Sequence, residues 1–271
     1  MTLVSTDWLN QNLNKVKIID ASWHLDKNRN AIKEYNEHHI ENAIFFDLDK
    51  NSNQKKDLPH GHFLPSVSDY EKAISEMGIS NTDRIIIYCY SNLISSCRAW
   101  FQFLYFGHDP KLVSILNGGM KKWKLEGRKV TNEKTKIIPT KYKAAENINM
   151  IKVKSQISEN IKRKEFTVLD ARSKKRFLGL ESEPRPGIKS GSIKESKSLP
   201  LSEIVNMKDN TFLNTKKLRD IFNSSGINSN KIVMSCGSSV TAASLALAYS
   251  LINDDYIPKI YIGSWTEFGK Q

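Results

Sequence analysis

The sequence predicts an α/β protein of two tandem domains, each built on a mainly parallel sheet. Three observations carry that expectation. Short β-branched runs alternate with helical segments, as parallel sheets with crossover helices require. The alternation occurs twice with matching landmarks. The length of 271 residues is near twice the common domain size of roughly 100–150 residues. The expected division is a first domain over 1–130, a linker over 131–149 and a second domain over 150–271.

In the first copy, residues 16–20 (VKIID) form the opening strand and end in a turn-like stretch at Ala21 and Ser22. A helix over 66–77, Gly78 and a strand over 84–88 follow, then an amphipathic run over 98–106 and a strand over 112–116. In the second copy, 166–170 (FTVLD) opens, 215–222 is helical, and Gly226 precedes the strand 231–235. An apolar helix over 242–251 and a strand over 259–262 complete it. Asp20-Ala21 matches Asp170-Ala171, the stretch 78–89 matches 226–236, and 118–123 matches 263–268. Residues 131–149 are rich in Lys, Thr and Asn and read as an exposed linker.

Composition narrows the function classes. Hydrophobic residues make up 39% and charged ones 26%, an ordinary balance for a folded chain. Three cysteines cannot staple 271 residues, so a disulfide scaffold is excluded and a reducing compartment is expected. No apolar run approaches the roughly 18 residues of a membrane span. The first ten residues lack a basic and apolar signal pattern, which points to a cytoplasmic protein with no membrane partner. The formal charge of +12 raises the question of nucleic acid. Its lysines are scattered among Asn and Ser rather than gathered on one face with aromatics, so no nucleic-acid partner is expected. No Cys/His cluster has metal-ligand spacing, and neither metal nor cofactor is expected.

The most informative segment is Cys236-Gly237-Ser238-Ser239-Val240-Thr241. A buried strand ends at Cys236 and an Ala/Leu helix starts at about Thr241, so Cys236 sits at the carboxyl edge of the sheet, where ligands bind in open α/β folds. The backbone N–H groups of Gly237, Ser238, Ser239, Val240 and Thr241 can curl into an anion cradle continuous with the helix N-terminus. A cysteine there is favoured as thiolate and can act as a nucleophile. The loop alone equally allows a small buried hydrophobe at a strand end. A cysteine phosphatase would need an arginine six positions on, where Ala242 stands, which argues against phosphoryl transfer.

The tandem pattern and this loop resemble the rhodanese superfamily, and within it the mercaptopyruvate-type sulfurtransferases. Supporting stretches span almost the whole chain: Ser5-Thr6-Asp7-Trp8-Leu9, residues 43–49, His62-Phe63-Leu64-Pro65, Arg98-Ala99-Trp100, Phe106-Gly107-His108 and Asn117-Gly118-Gly119. Arg176-Phe177, Glu183-Pro184-Arg185-Pro186-Gly187 and Gly263-Ser264-Trp265 continue the series. The resemblance implies two tandem rhodanese-like domains, each a mainly parallel sheet flanked by helices, with only the second active. It implies Cys236 as the sulfur-accepting nucleophile and Arg176 and Arg185 as the holders of a substrate carboxylate and carbonyl. Ser238, His62 and Asp49 would form a proton relay, with His60 a close competitor for His62 and Asp49 equally readable as a cap or turn residue. Thiosulfate-using relatives carry an Arg-Lys pair where Gly237 and Ser238 stand.

The reaction so implied moves sulfur from 3-mercaptopyruvate through a Cys236 persulfide to a thiol such as thioredoxin, or to cyanide, and releases pyruvate. Thiosulfate:cyanide sulfur transfer and a degenerate, non-catalytic binding module are the alternatives. Two departures from the family pattern, at Ser239 and in the turns, stand out. Ser239 replaces a glycine, which is costly if that position needs a positive φ. The His-Ile-Pro-Gly-Ala turns read His39-Ile40-Glu41-Asn42-Ala43 and Gly191-Ser192-Ile193-Lys194-Glu195. Cys89 aligns with Cys236, but the following residues 90–96 lack a glycine to open a cradle, so Cys89 and Cys97 are read as unreactive.

Overall fold

The computed structural model describes residues 2–55, 58–227 and 229–271, with the side chains at 54, 55, 59 and 60 outside the described set. The chain divides into two compact units. One comprises Met1–Asn51, Leu64–Asn147 and Met207–Thr211; the other comprises Ser52–Phe63, Ile148–Asn206 and Phe212–Gln271.

The first unit holds strands β1 (Leu3–Val4), β2 (Lys17–Asp20), β3 (Ala43–Phe45), β4 (Ile85–Tyr88) and β5 (Val113–Leu116). They form one parallel sheet in the order β3-β2-β4-β5-β1, with Ile18 paired to both Ala43 and Ile86. Helices α1 (Thr6–Asn10), α2 (Ala31–Glu37), α3 (Val67–Glu76), α4 (Ser96–Tyr105) and α5 (Gly119–Leu125) connect the strands. Every residue of β4 and β5 is buried, the burial that a two-sided parallel sheet imposes on Ile and Val runs. Ser5, Asn30 and Ser66 start α1, α2 and α3 by accepting a backbone N–H three residues on.

The second unit repeats this plan with β6 (Ile151–Lys152), β7 (Thr167–Asp170), β8 (Lys197–Ser198), β9 (Ile232–Ser235) and β10 (Ile260–Tyr261). Their order is β8-β7-β9-β10-β6, again all parallel, so third-second-fourth-fifth-first describes both sheets. The helices are α6 (Lys154–Arg163), α7 (Lys174–Phe177), α8 (Leu201–Ile204), α9 (Thr215–Ser224), α10 (Val240–Ser250) and α11 (Ser264–Phe268). Nine of the eleven residues of α10 are buried, consistent with its apolar character on all sides.

Three features depart from the sequence expectations. Residues 131–147, expected as part of an exposed linker, pack along the first unit without forming a helix or strand. Thr131 bridges to His39, Thr140 N–H donates to Ser75 O at 2.9 Å, and buried Tyr142 stacks on His108. A polar composition conceals such a strap because backbone hydrogen bonds and one aromatic anchor hold it. Second, the antiparallel hairpin Asn53–Lys55/Leu58–Phe63 belongs to the second unit, where it packs against α11, so the first sequence half does not supply the first unit alone.

Third, the altered turns keep one geometry. Asn42 has φ 64° and Ala43 N–H donates to Ile40 O at 2.9 Å; Glu195 has φ 66° and Ser196 N–H donates to Ile193 O at 3.1 Å. The second turn is therefore 192–196, one residue later than the sequence alignment placed it. Its left-handed position is held by a glutamate without help from glycine. Among the described residues, no helix is long and apolar enough to cross a membrane.

Candidate active site

The central strand β9 delivers Cys236 to the carboxyl edge of the second sheet, with the residue only 1% exposed. Cys236 O accepts from Trp265 N–H at 2.9 Å, and Gly237 O accepts from both Thr266 N–H at 2.9 Å and Thr266 Oγ1 at 2.7 Å. Helix α10 starts at Val240, one residue ahead of the expected position, with Ser239 as its N-cap residue. The turn between strand and helix is therefore Cys236-Gly237-Ser238-Ser239.

Of the five N–H groups expected in the cradle, the one on Ser239 is occupied: it donates to Ser264 Oγ at 3.2 Å. Among the described residues, those of Gly237, Ser238, Val240 and Thr241 have no protein acceptor. Four donors thus remain beside the start of a buried eleven-residue helix, a setting that favours an anion. Ser264 holds the loop from behind. Its hydroxyl accepts from Cys236 N–H, also at 3.2 Å, and donates to Tyr261 O at 2.9 Å.

Ser238, His62 and Arg185 meet at one hydroxyl. Arg185 Nη2 donates to Ser238 Oγ at 2.8 Å, and His62 Nδ1 lies 3.0 Å from the same oxygen. Arginine can only donate, so the serine proton is left for His62 Nδ1 when that nitrogen is the bare one of the ring. His62 comes from the hairpin and is 1% exposed. The His60 side chain lies outside the described residues. Asp49 is placed in the first unit, where Trp23 Nε1 donates to its carboxylate at 3.1 and 3.2 Å.

Arg176 joins the group through Gly237. A Cβ on Gly237 would lie 3.1 Å from Arg185 Nη1 and 3.2 Å from Arg176 Nη2, so both guanidinium groups close over the same backbone atom. Glu183 fixes Arg176, accepting from Nε at 3.2 Å and Nη2 at 2.5 Å. Glu183 also takes Arg172 Nη1 at 2.7 Å, and Arg172 donates to both Asp170 oxygens and to Gly191 O. Burial opposes the Arg172 charge, but hydrogen bonds and charge from Asp170 and Glu183 outweigh it and raise its pKa. The guanidinium also lies 4.8 Å from the Trp265 ring centroid.

The profile of the Rhodanese-like domain family matches residues 5–126. Over 294 aligned residues the chain is 34% identical to thiosulfate/3-mercaptopyruvate sulfurtransferase 1, mitochondrial, of Arabidopsis thaliana, covering 99% of this chain and 76% of that protein. The chain belongs to the rhodanese family. It is also 34% identical to the thiosulfate sulfurtransferase of Mus musculus, covering 98% of this chain and 91% of the mouse protein. The crystal structure of SseA from Escherichia coli, described as showing the rhodanese fold and catalytic mechanism of 3-mercaptopyruvate sulfotransferases, superposes with a TM-score of 0.86 at 29% identity, covering 98% and 99% of the two chains. The α/β fold of two parallel sheets flanked by helices is that of tandem rhodanese domains, and the activity class is sulfur transfer.

As a rhodanese-family protein, this chain separates its two copies at identifiable residues. Cys89 O accepts from Met120 N–H at 3.0 Å, the counterpart of the Cys236–Trp265 bond. The Cys89 thiol faces Ser96 Oγ at 3.4 Å, and α4 starts only at Ser96. Where Asp170 has Arg172 two residues on, Asp20 has Ser22. Ser22 donates to Asp20 Oδ1 from both N–H and Oγ, but burial still pushes the Asp20 carboxyl up to about 6. Sequence reasoning missed Arg172, Glu183, Ser264 and Thr266 as supports of the site. The first was visible as a charge appearing at one offset of the repeat and absent from the other.

Ser239 occupies the left-handed region at φ 63° and is fully buried. Its hydroxyl donates to Ser238 O at 2.6 Å, a bond that offsets part of the strain a glycine would avoid. Ser239→Ala keeps the strain and loses the bond, and is expected to cost about 1 kcal/mol. Ser239→Gly loses the bond but removes the strain, so it should exceed the alanine variant by about 1–2 kcal/mol in urea unfolding. Equal stability of the two variants would show that the loop carries no backbone strain at this position.

Proposed function

We propose that this chain takes sulfur from 3-mercaptopyruvate onto Cys236 and passes it to a thiol such as reduced thioredoxin, or to cyanide. The observation that supports this choice most is the closure of Arg176 and Arg185 over Gly237, with Arg185 also on Ser238 Oγ. Two adjacent guanidinium groups suit a planar 2-keto acid, whose carboxylate and carbonyl each accept paired N–H donors. The arginine found after the cysteine in thiosulfate-using relatives would start 3.1 and 3.2 Å from these two guanidinium groups and meet like charge.

In the first half-reaction the Cys236 thiolate attacks the sulfur of mercaptopyruvate. The new S–S bond forms as the C–S bond breaks, and the bonding pair passes to the three-carbon fragment as the enolate of pyruvate. The enolate takes a proton at carbon, with the Ser238–His62 pair supplying the route. The cradle N–H groups hold the persulfide anion. In the second half-reaction a thiolate or cyanide attacks the outer sulfur, and the departing electron pair restores the Cys236 thiolate. The products are an acceptor persulfide or thiocyanate.

A comparison of kcat/KM for mercaptopyruvate and thiosulfate tests the assignment. Mercaptopyruvate is expected to win by at least about tenfold, because a site that hydrogen-bonds carboxylate and carbonyl is left unpaired by a donor lacking them. Mercaptopyruvate alone should release pyruvate and add about 32 Da at Cys236. A thiosulfate preference would reassign the substrate. Neither donor yielding a persulfide would leave a binding module.

A further inference from the structure

The first unit contains an open cavity at the amino edge of its sheet and therefore at the opposite end from Cys89. Its volume is about 410 Å³, within the roughly 300–1,000 Å³ range of small-molecule sites. Lys15, Lys17, Arg84 and Lys136 line it, contributed by the turn after α1, the first residue of β2, the residue before β4 and the strap. Asp83 is the acidic residue in the lining, and its Oδ2 already accepts Ser80 N–H at 2.7 Å.

Lys33, Lys50, Lys122, Lys143 and Lys164 each stand within ion-pair distance of a carboxylate. Among the described residues none of the four cations of the cavity does. Converging like charges repel unless an anion lies between them, and a concave wall strengthens their field. The floor is of a different kind. Leu13, Val16 and Ile44 give it an apolar surface. Asn42 Nδ2 donates to Asn14 Oδ1 at 3.0 Å, which leaves Asn14 Nδ2 as a donor and Asn42 Oδ1 as an acceptor side by side.

We infer that this cavity binds a small polyphosphate carried on a planar, hydrogen-bonding body, the chemistry of a nucleoside di- or triphosphate. The four cations engage the phosphates. The paired amides and the apolar floor take the edge and face of the heterocycle. The inference is independent of the sulfur-transfer reading, since it uses none of the residues around Cys236.

Isothermal titration of the full chain with ATP, inorganic tripolyphosphate and adenosine, at about 50 mM salt to limit screening, tests it. ATP should bind with one site per chain and tripolyphosphate more weakly, with adenosine weakest. In Lys15→Glu/Arg84→Glu, ATP affinity should fall at least about tenfold, since two attractive contacts become repulsive. Lys216→Glu/Lys217→Glu on α9 makes the same change in net charge away from the cavity and should alter affinity less than about twofold. Both pairs are exposed, so both variants should fold; Lys15→Gln/Lys136→Gln is a milder second probe. Equal losses in the two reversed variants would reduce the effect to the general field of a +12 chain and overturn the site, as would the absence of saturable ATP binding. Tripolyphosphate binding as tightly as ATP would overturn the role of the amides and floor.

Discussion

Cys236→Ser is expected to lower sulfur transfer by about four to six orders of magnitude, the scale on which removal of a nucleophile acts. The substitution is nearly isosteric, and the backbone contacts of residue 236, Trp265 N–H to its carbonyl and its own N–H to Ser264 Oγ, do not involve the thiol. The fold should therefore survive while a hydroxyl far less nucleophilic than a thiolate faces the substrate. The control lies in the other half of the repeat. Cys89→Ser alters the residue at the matching sheet edge, where the thiol faces Ser96 and no glycine follows, and should leave turnover near that of the parent. Pyruvate release and intact-protein mass read both outcomes. Residual turnover in Cys236→Ser above about one part in a thousand would remove the persulfide from the pathway.

The contrast between Cys236 and Cys89 also shows what the sequence could carry. The repeat was legible because parallel strands buried on both faces must be short β-branched runs, and those runs recur at fixed landmarks ending in Asp20 and Asp170. The chemistry at Cys236 was legible because a strand, a glycine and an Ala/Leu helix follow each other without a gap. The supports were less visible. Ser264 reaches the loop from 28 residues further along the chain, through two backbone N–H groups that no side-chain pattern announces. His62 lies in the first half of the sequence yet reaches Ser238 in the second unit, because a hairpin crosses the division that composition suggested. Residues 131–147 read as a linker because their anchors are backbone hydrogen bonds and a single buried tyrosine. Local pattern reports elements well and long-range hydrogen bonding poorly, and most of the supporting residues depend on the latter.

Arg172→Met is the substitution expected to damage the fold most, by about 3–5 kcal/mol, because it leaves the buried Asp170 carboxylate without its cation and Glu183 with Arg176 alone. The Arg172 and Asp170 side chains are each 1% exposed and Glu183 is 2% exposed, so water cannot take over the lost bonds. The cause can be isolated. In Asp170→Asn/Arg172→Met/Glu183→Gln all three charges go together, the desolvation cost goes with them, and much of the loss should be recovered. Activity separates from stability in the same pair of variants. The triple variant no longer has the Glu183 carboxylate that holds Arg176, so its KM for mercaptopyruvate should stay high even where its stability returns. A triple variant no more stable than Arg172→Met would mean that the loss comes from packing against Trp265, not from stranded charge.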